Sequence, residues 1–199
     1  MKPSFLVLLL ITATVCFISC KKDSSDTPNN QSIVGNYKFV SLTASTISTQ
    51  IVSDGVTEDK SVTYSNYTTK NNTGTLVIDD KNITSTDLSY SVDTIAKAYF
   101  YEDNILIDST ESNFHIDIPA SSATSGYTLV STDSIYMISG SMFFNGSTSS
   151  TGPAGVRYKV EGDKLYIYGG NSKTTQQNQS GYIVNQKAEA TVIITYQKQ

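Results

Sequence analysis

The chain has 199 residues, the length of one ordinary domain, and its 18 acidic and 14 basic side chains give a net charge of −4. Aromatic residues make up 10% of the sequence, which excludes intrinsic disorder, because disordered chains combine few aromatic residues with a high net charge. The acidic balance also argues against nucleic acid as a partner, since proteins that bind nucleic acids present basic surfaces.

The first 19 residues form an apolar leader. Lys2 provides a basic start, and residues 5–18 form an apolar run that is interrupted only by two threonines. A run of this length is typical of a secretory signal peptide and is short for a membrane-spanning helix, which needs about 20 residues. The last two apolar residues, Phe17 and Ile18, are followed by Ser19 and Cys20 and then by two lysines.

The end of this leader resembles the lipobox of bacterial lipoproteins, in which apolar residues and a small residue precede a cysteine. The resemblance implies cleavage between Ser19 and Cys20, acylation of the Cys20 thiol, and anchoring in the outer membrane, facing the periplasm or the cell surface. An ordinary secretory signal with an unrelated cysteine is the alternative. Because Cys16 lies in the leader, no cysteine is left for a disulfide, a metal or a nucleophile.

The chain is therefore divided into a signal peptide (1–19), the lipidated cysteine with a flexible tether (20–32) and one folded domain (33–199). The tether contains no large apolar residue. From residue 33 onward, short β-rich runs alternate with turn clusters, which predicts an all-β fold. Four hairpins are predicted, with strands at residues 75–78 and 83–84, 98–101 and 105–107, 156–160 and 164–168, and 182–184 and 190–196. Three polar segments are predicted to be exposed loops: residues 120–126, 145–155 and 169–181.

Consecutive hairpins with short turns favour an up-and-down antiparallel β-barrel, with a β-sandwich as the alternative. The domain opens with Gly35-Asn36-Tyr37, which resembles the G-x-W start of lipocalin-like proteins with tyrosine in place of tryptophan. The resemblance implies a lipocalin-like barrel in which Gly35 lets the chain turn into the first strand and Tyr37 closes one end. Residues predicted to be mostly buried are Tyr37, Phe39, Val77, Leu165, Ile167, Val192 and Ile194.

Catalytic chemistry is not expected. His115 and Asp117 share one face of a predicted strand, but a polar strand face is the simpler interpretation, and no G-x-S-x-G nucleophile motif is present. One histidine and no free cysteine exclude a zinc site. Of the acidic pairs at residues 58–59, 79–80 and 102–103, the last two fall in predicted turns, where aspartate bonds to the local backbone. We therefore expect a non-enzymatic protein with no cofactor.

Two functions remain open. The first is a binding module whose barrel holds a small apolar or amphiphilic ligand, with tyrosines among the residues that line the cavity. The second is a structural or interaction protein of the cell surface, with a filled barrel and contacts through its loops. Small residues inside the barrel would indicate a cavity, and bulky ones would indicate a filled interior. The ligand-binding residues are not predicted, because a shift of one residue in the strand register exchanges the two faces.

Three short motifs resemble the O-glycosylation motif of some Gram-negative bacteria, in which aspartate precedes serine or threonine and then an apolar residue or threonine. They are Asp93-Thr94-Ile95, Asp108-Ser109-Thr110 and Asp133-Ser134-Ile135. The resemblance implies Thr94, Ser109 and Ser134 as acceptors. Chance matches are the alternative in a chain so rich in serine and threonine.

Overall fold

The computed structural model describes residues 32–138 and 154–199. Within these residues one antiparallel sheet of nine strands contains all the regular secondary structure. The strands are β1 (Gly35–Ser53), β2 (Glu58–Thr68), β3 (Lys70–Ile78), β4 (Asn82–Glu102), β5 (Ile105–Ser131), β6 (Ser134–Met137), β7 (Ala154–Glu161), β8 (Lys164–Gln179) and β9 (Tyr182–Lys198). The predicted all-β fold is confirmed, and a single sheet replaces the two packed sheets of the sandwich alternative.

The sheet closes into a ring because β1 pairs with β9 on one side and with β2 and β3 on the other. From β3 to β9, each strand pairs with the strand that follows it in the chain. Neighbours in sequence are thus neighbours in space, which is the up-and-down order expected from consecutive hairpins.

β2 and β3 lie end to end along the same side of β1, and side chains at their joint complete the hydrogen bonding of β1. A bulge in β1 lies between Phe39 and Ser41. Here the Nδ2 of Asn72 donates to the carbonyl of Val40 at 2.7 Å, and the backbone N–H of Leu42 donates to the Oγ1 of Thr69 at 2.9 Å. These side chains replace ladder hydrogen bonds that the interrupted strand does not supply.

Unequal strand lengths divide the sheet into two regions. β6 and β7 have only 4 and 8 residues, whereas β4 and β5 have 21 and 27. The closed part, which we call the basal ring, contains β3, β6, β7 and the adjoining ends of β1, β4, β5, β8 and β9. Beyond it the sheet continues in the order β5, β4, β2, β1, β9, β8. We call this part the open extension; it comprises residues 43–68, 91–118 and 169–193.

Bulky side chains fill the interior of the basal ring. Phe39 lies 5.7 Å from Tyr196 and 6.1 Å from Tyr90 between ring centroids, the range in which aromatic pairs attract. The largest side chains that are almost fully buried are Tyr37, Leu76, Ile78, Ile83, Ile135, Met137, Leu165, Ile167, Ile194 and Tyr196. The ring thus has the filled interior that the second functional hypothesis requires.

The predicted burial is confirmed for five residues and fails for β3. Tyr37, Phe39, Leu165, Ile167 and Ile194 are buried, and Val192 is half-buried against the core. Val77, by contrast, is exposed, and its neighbours Leu76 and Ile78 are buried instead. Three consecutive apolar residues in β3 make the inward face ambiguous from sequence, and the prediction took the wrong one.

Two predicted loops and one predicted hairpin are wrong. Residues 120–126 lie within β5, and residues 169–179 continue β8, so that only Ser180 and Gly181 form a turn. The predicted hairpin between residues 182–184 and 190–196 is one continuous strand, β9. Of the third predicted loop, residues 145–153 lie outside the described residues, and Ala154 and Gly155 begin β7.

The other three hairpins are confirmed. Ile78 pairs with Ile83, Glu102 with Ile105, and Glu161 with Lys164. Gly162 adopts a φ of 61°, the left-handed conformation that the tight turn between β7 and β8 requires. Turn chemistry in the sequence therefore located these strand reversals correctly.

Candidate functional site

The open extension has an inner face that continues the interior of the basal ring. Along β1 the buried Leu42 and Ala44 are followed on the same face by Thr46, Ser48 and Gln50. Neighbouring strands place other polar residues beside them in an open groove of about 440 Å³. The groove is lined by Ser48, Gln50, Ser61, Thr63, Lys173, Thr175, Gln177, Gln186, Lys187 and Ala188. This part of the inner face offers hydrogen-bond donors and acceptors but little apolar surface.

The inner face turns apolar at β4 and β5. Val92 is buried and lies opposite Ile116, and the next inward pair joins Thr94 with Phe114. Phe114 and Ile116 remain 49% and 40% exposed. The inner face of the open extension therefore has a polar groove on β1, β2, β8 and β9 and an apolar patch on β4 and β5, formed by Val92, Phe114 and Ile116.

Two strand edges border the open extension. Residues 105–117 of β5 pair with β4 on one side, whereas β6 pairs with β5 only at residues 127–131. Residues 169–179 of β8 pair with β9, whereas β7 pairs with β8 only at residues 164–168. Among the described residues, both segments therefore have one unpaired side. An unpaired edge presents free backbone N–H and C=O groups that can pair with another strand.

An exposed ion cluster lies on the outer face of β4 and β5. Asp93 of β4 lies opposite His115 of β5 and bonds to its Nδ1, and Lys70 lies 3.3 Å from Asp93. On the other side, the Nε2 of His115 lies 3.4 Å from a carboxylate oxygen of Asp117. The imidazole is thus held between two carboxylates, and the predicted proximity of His115 and Asp117 is confirmed.

The groups of this cluster shift one another's pKa in the direction that favours the charged forms. The hydrogen bond to Asp93 and the charge of that carboxylate raise the pKa of His115, and Asp117 adds to the effect. The pKa of Asp93 is lowered in turn by its hydrogen bonds to His115 and Lys70. A hydrogen bond from Ser91, followed by His115, lowers the pKa of Asp117. All these groups are well exposed, so that solvent screens the ion pairs and the cluster contributes little to stability.

Asp93 is the member of the cluster that the sequence analysis missed as a partner of His115. The signal that locates it is the hairpin between β4 and β5. If the residues of β4 and β5 are paired one by one from the turn at Asp103 and Asn104, Asp93 falls one position away from His115. A bulge at Ile107 supplies the remaining shift.

Tyr37 is buried at the base of the ring. Its hydroxyl donates to the carbonyl of Ile33 at 2.7 Å, and burial, together with Tyr127, raises the pKa of the phenol. Gly35 lies beside it with a φ of 155°, and a Cβ atom at this position would lie 3.1 Å from the Cε of Lys198. The hydroxyl bond holds the segment before β1 against Tyr37, and the pairing of Tyr37 with Lys198 joins the start of β1 to the end of β9.

The two turn aspartates, Asp79 and Asp103, accept hydrogen bonds from backbone N–H groups. The Oδ1 of Asp79 accepts backbone N–H groups of Lys81 and Asn82 at 2.8 and 2.7 Å. The Oδ1 of Asp103 accepts the N–H of Glu58 at 3.1 Å. The contacts of Asp79 are local, as predicted, whereas Asp103 lies in its predicted turn but bonds across to the start of β2. No group of three or more histidine, cysteine or acidic side chains within residues 32–138 and 154–199 is arranged to hold a metal ion.

The three glycosylation motifs differ in access. Ser109 is exposed on the outer face of β5. Thr94 is half-buried and its hydroxyl donates to the carbonyl of Asn66 at 2.9 Å, while the half-buried Ser134 donates to Asp133 at 3.0 Å. Modification at any of them stays a prediction, and Ser109 has the most accessible hydroxyl. Cys20 and the rest of the leader lie outside the described residues.

In the part of the chain that the structure describes, no helix is long and apolar enough to cross a membrane. The chain matches no known protein family and no curated protein.

Proposed function

We propose that the protein is a lipid-anchored, non-enzymatic envelope protein that contacts a partner through its open extension, while the basal ring serves as a rigid base. The observation that carries this proposal is the difference between the interior of the basal ring and the inner face of the open extension. The interior of the basal ring is occupied by bulky side chains such as Tyr37, Met137 and Tyr196, whereas the inner face of the open extension is uncovered among the described residues.

The filled ring favours an interaction protein over a barrel that holds a small apolar ligand. A lipocalin-like ligand would need an unfilled interior, and the side chains there are packed against one another. The contact surface proposed from sequence also changes. Residues 120–126 and 169–179 are strands rather than loops, so the contacts would be made by faces and edges of the sheet.

The anchoring follows from the lipobox resemblance at Cys20 and from the tether. An acyl chain contributes about 0.8 kcal/mol of membrane affinity for each buried methylene, and stable anchoring takes more than one chain. We expect the lipid to hold the domain at the outer membrane with the tether as a spacer. A lipocalin-like relationship remains part of the proposal and rests on the start of β1 together with the closed up-and-down sheet.

Cell fractionation tests the anchoring. The wild-type protein should be found with membranes, and Cys20→Ala should be found in the soluble fraction, with Ser24→Ala as a control that leaves the cysteine intact. Full retention of Cys20→Ala in the membrane would contradict the lipoprotein assignment.

Native mass spectrometry of the protein purified from its host tests the choice between the two functions. We expect the mass of the processed and acylated chain with no small molecule bound. A stoichiometric apolar ligand that survives purification would favour the binding module instead.

A further inference from the structure

We propose that residues 105–117 of β5, hereafter the β5 edge, form a strand-addition site for an extended segment of a partner polypeptide that carries alternating apolar and basic side chains. This inference rests on the proposed function, because it names the partner of the same open extension. Strand addition is an established mode of recognition in which the main chain supplies affinity and alternate side chains supply specificity.

The first observation is the length of the unpaired edge. All thirteen residues of the β5 edge are exposed, and within the described residues only β4 pairs with them. Natural proteins protect such edges with short strands, lysine, proline or a covering element. The start of the β5 edge has two other protections, a bulge at Ile107 and an inward-facing acid at Asp108, but residues 109–117 form a long uninterrupted stretch without lysine, arginine or proline.

The second observation is the apolar surface on this edge. Ile105, Leu106 and Ile107 are exposed by 69%, 53% and 59%, and Phe114 and Ile116 also face solvent. Phe114 and Ile116 lie on the inner face, next to Thr94 and the buried Val92. An added strand would cover these side chains as well as the backbone groups, so both hydrogen bonding and apolar burial would contribute to binding.

The other edge of the open extension has the opposite character. Residues 169–179 of β8 contain no large apolar residue, and Lys173 projects from the strand. A lysine on an edge strand disfavours pairing with another chain, because pairing would bring the ammonium group into a less hydrated position. The two edges therefore differ in the protection that they carry, and only the β5 edge is suited to accept a strand.

Charge selects the partner. Of the three acids of the β5 edge, Asp108 faces inward, whereas Glu111 and Asp117 lie on the outer face. Glu111 pairs with Lys97 and Asp117 lies beside His115, yet their side chains remain 57% and 72% exposed. A second copy of the same edge would bring three acids and one histidine against an equal set, and this excess of acids disfavours self-pairing. A strand with lysine or arginine on its outer side and apolar residues on its inner side would match residues 111–117 of the β5 edge, where acids lie on the outer face and Phe114 and Ile116 on the inner face.

The test uses the full-length protein from its host and a nine-residue peptide in which lysine and valine alternate. A peptide of alternating glutamate and valine, and a peptide with the same lysines and valines in two blocks, are the controls. We expect the lysine–valine peptide to bind at least about tenfold more tightly than either control. In hydrogen–deuterium exchange it should slow exchange at residues 105–117 and leave residues 169–179 unchanged.

Substitutions on the two edges provide matched variants. Phe114→Lys should weaken peptide binding at least about tenfold, because it places a cation and removes apolar surface where the strand would be added. Ile107→Lys is a second variant in case Phe114→Lys unfolds. Thr174→Lys, on the β8 edge, should leave binding unchanged.

Three results would overturn the inference. They are equal binding of the three peptides, protection at residues 169–179 instead of the β5 edge, and protection of the β5 edge by self-association without peptide. Each of these results would leave the proposed function standing, because that function fails instead if Cys20→Ala stays in the membrane or if a ligand occupies the protein.

Discussion

The basal ring and the open extension share β1, β4, β5, β8 and β9, yet only the ring has an interior filled by bulky side chains. Along β1, the inward residues change from Tyr37 and Phe39 in the ring to Ser48 and Gln50 in the extension. The change occurs beyond the reach of the short strands β6 and β7. Closure of the sheet therefore decides where the core ends, because a face without an opposite wall has nothing to pack against.

The two regions are stabilised by different forces. Burial of large apolar side chains stabilises the ring by about 25 cal/mol for each Å² removed from water. The extension has only a few small buried apolar side chains, such as Val62, Val92 and Val184. It otherwise depends on backbone ladders and on exposed ion pairs such as Lys97–Glu111, at 2.7 Å, which contribute about 0–1 kcal/mol each. The ring should therefore account for most of the free energy of unfolding.

Equal truncations in the two regions should have the most unequal effects. Phe39 is 3% exposed in the ring, and Phe114 is 49% exposed in the extension. Phe39→Ala should lower the free energy of unfolding by about 3–5 kcal/mol, because it leaves a cavity in the core. Phe114→Ala should lower it by less than about 1 kcal/mol. Urea denaturation measures both, and similar losses would show that the extension is packed as tightly as the ring.

The joint between the regions offers a second matched pair. Thr69→Val removes the acceptor for the backbone N–H of Leu42 while it keeps the shape of the side chain. The buried donor left unpaired should cost about 1–3 kcal/mol. Thr68→Val is the control, because Thr68 is exposed and its hydroxyl bonds to the exposed hydroxyl of Thr43 rather than to a buried backbone group. If both variants unfold at the same urea concentration as the wild type, the side-chain bond at the bulge is dispensable.

Titration of the single histidine examines the outer face of the extension. Its partners raise the pKa of His115, so NMR should place it above 6.5, and Asp93→Asn should lower it. Because the folded pKa exceeds the unfolded value, the stabilising contribution is present below pH 6.5 and is lost as pH rises through the folded pKa. It is also lost at low pH, where Asp93 becomes protonated. A pKa at or below 6.5 would mean that the carboxylates do not hold the imidazole in solution.

Modification of the extension should have the smallest effect on stability. Of the three motif residues, we expect a glycan on Ser109 in preference to Thr94 and Ser134, whose hydroxyls are half-buried and bonded. Ser109→Ala should remove one hexose-containing mass increment from the host-expressed protein with little change in the free energy of unfolding. A mass that equals peptide plus acyl groups in the wild type would remove the glycosylation prediction.

The sequence was informative where side chains are buried on one face or where a turn needs special residues. Gly162 and the aspartates at Asp79 and Asp103 mark three reversals correctly, and alternation identifies Tyr37 and Phe39 as core residues. In β3, the run Leu76-Val77-Ile78 has no alternation, so its inward face could not be chosen from sequence.

The extension was poorly predicted for the same physical reason that makes it open. Residues 169–179 are polar on both faces, so they carry no period of two, and their glycine, threonine and glutamine content is typical of loops. Alternation of apolar and polar residues appears in a sequence only where one face of a strand is buried, so a strand with two polar faces does not show it. The unpaired edge of β5 could not be predicted either, because an unpaired edge is a property of neighbouring strands and not of the strand's own residues.

Native-state hydrogen exchange in low denaturant tests the central claim, that a filled ring supports an open extension. We predict that amides of the ring, such as those of Leu76, Leu165 and Ile194, exchange only through global unfolding. Amides in residues 105–117 and 169–179 should exchange through local opening of lower free energy. Equal opening free energies in both regions, or greater protection in the two edges than in the ring, would contradict the division of the sheet into a stable base and a free contact surface.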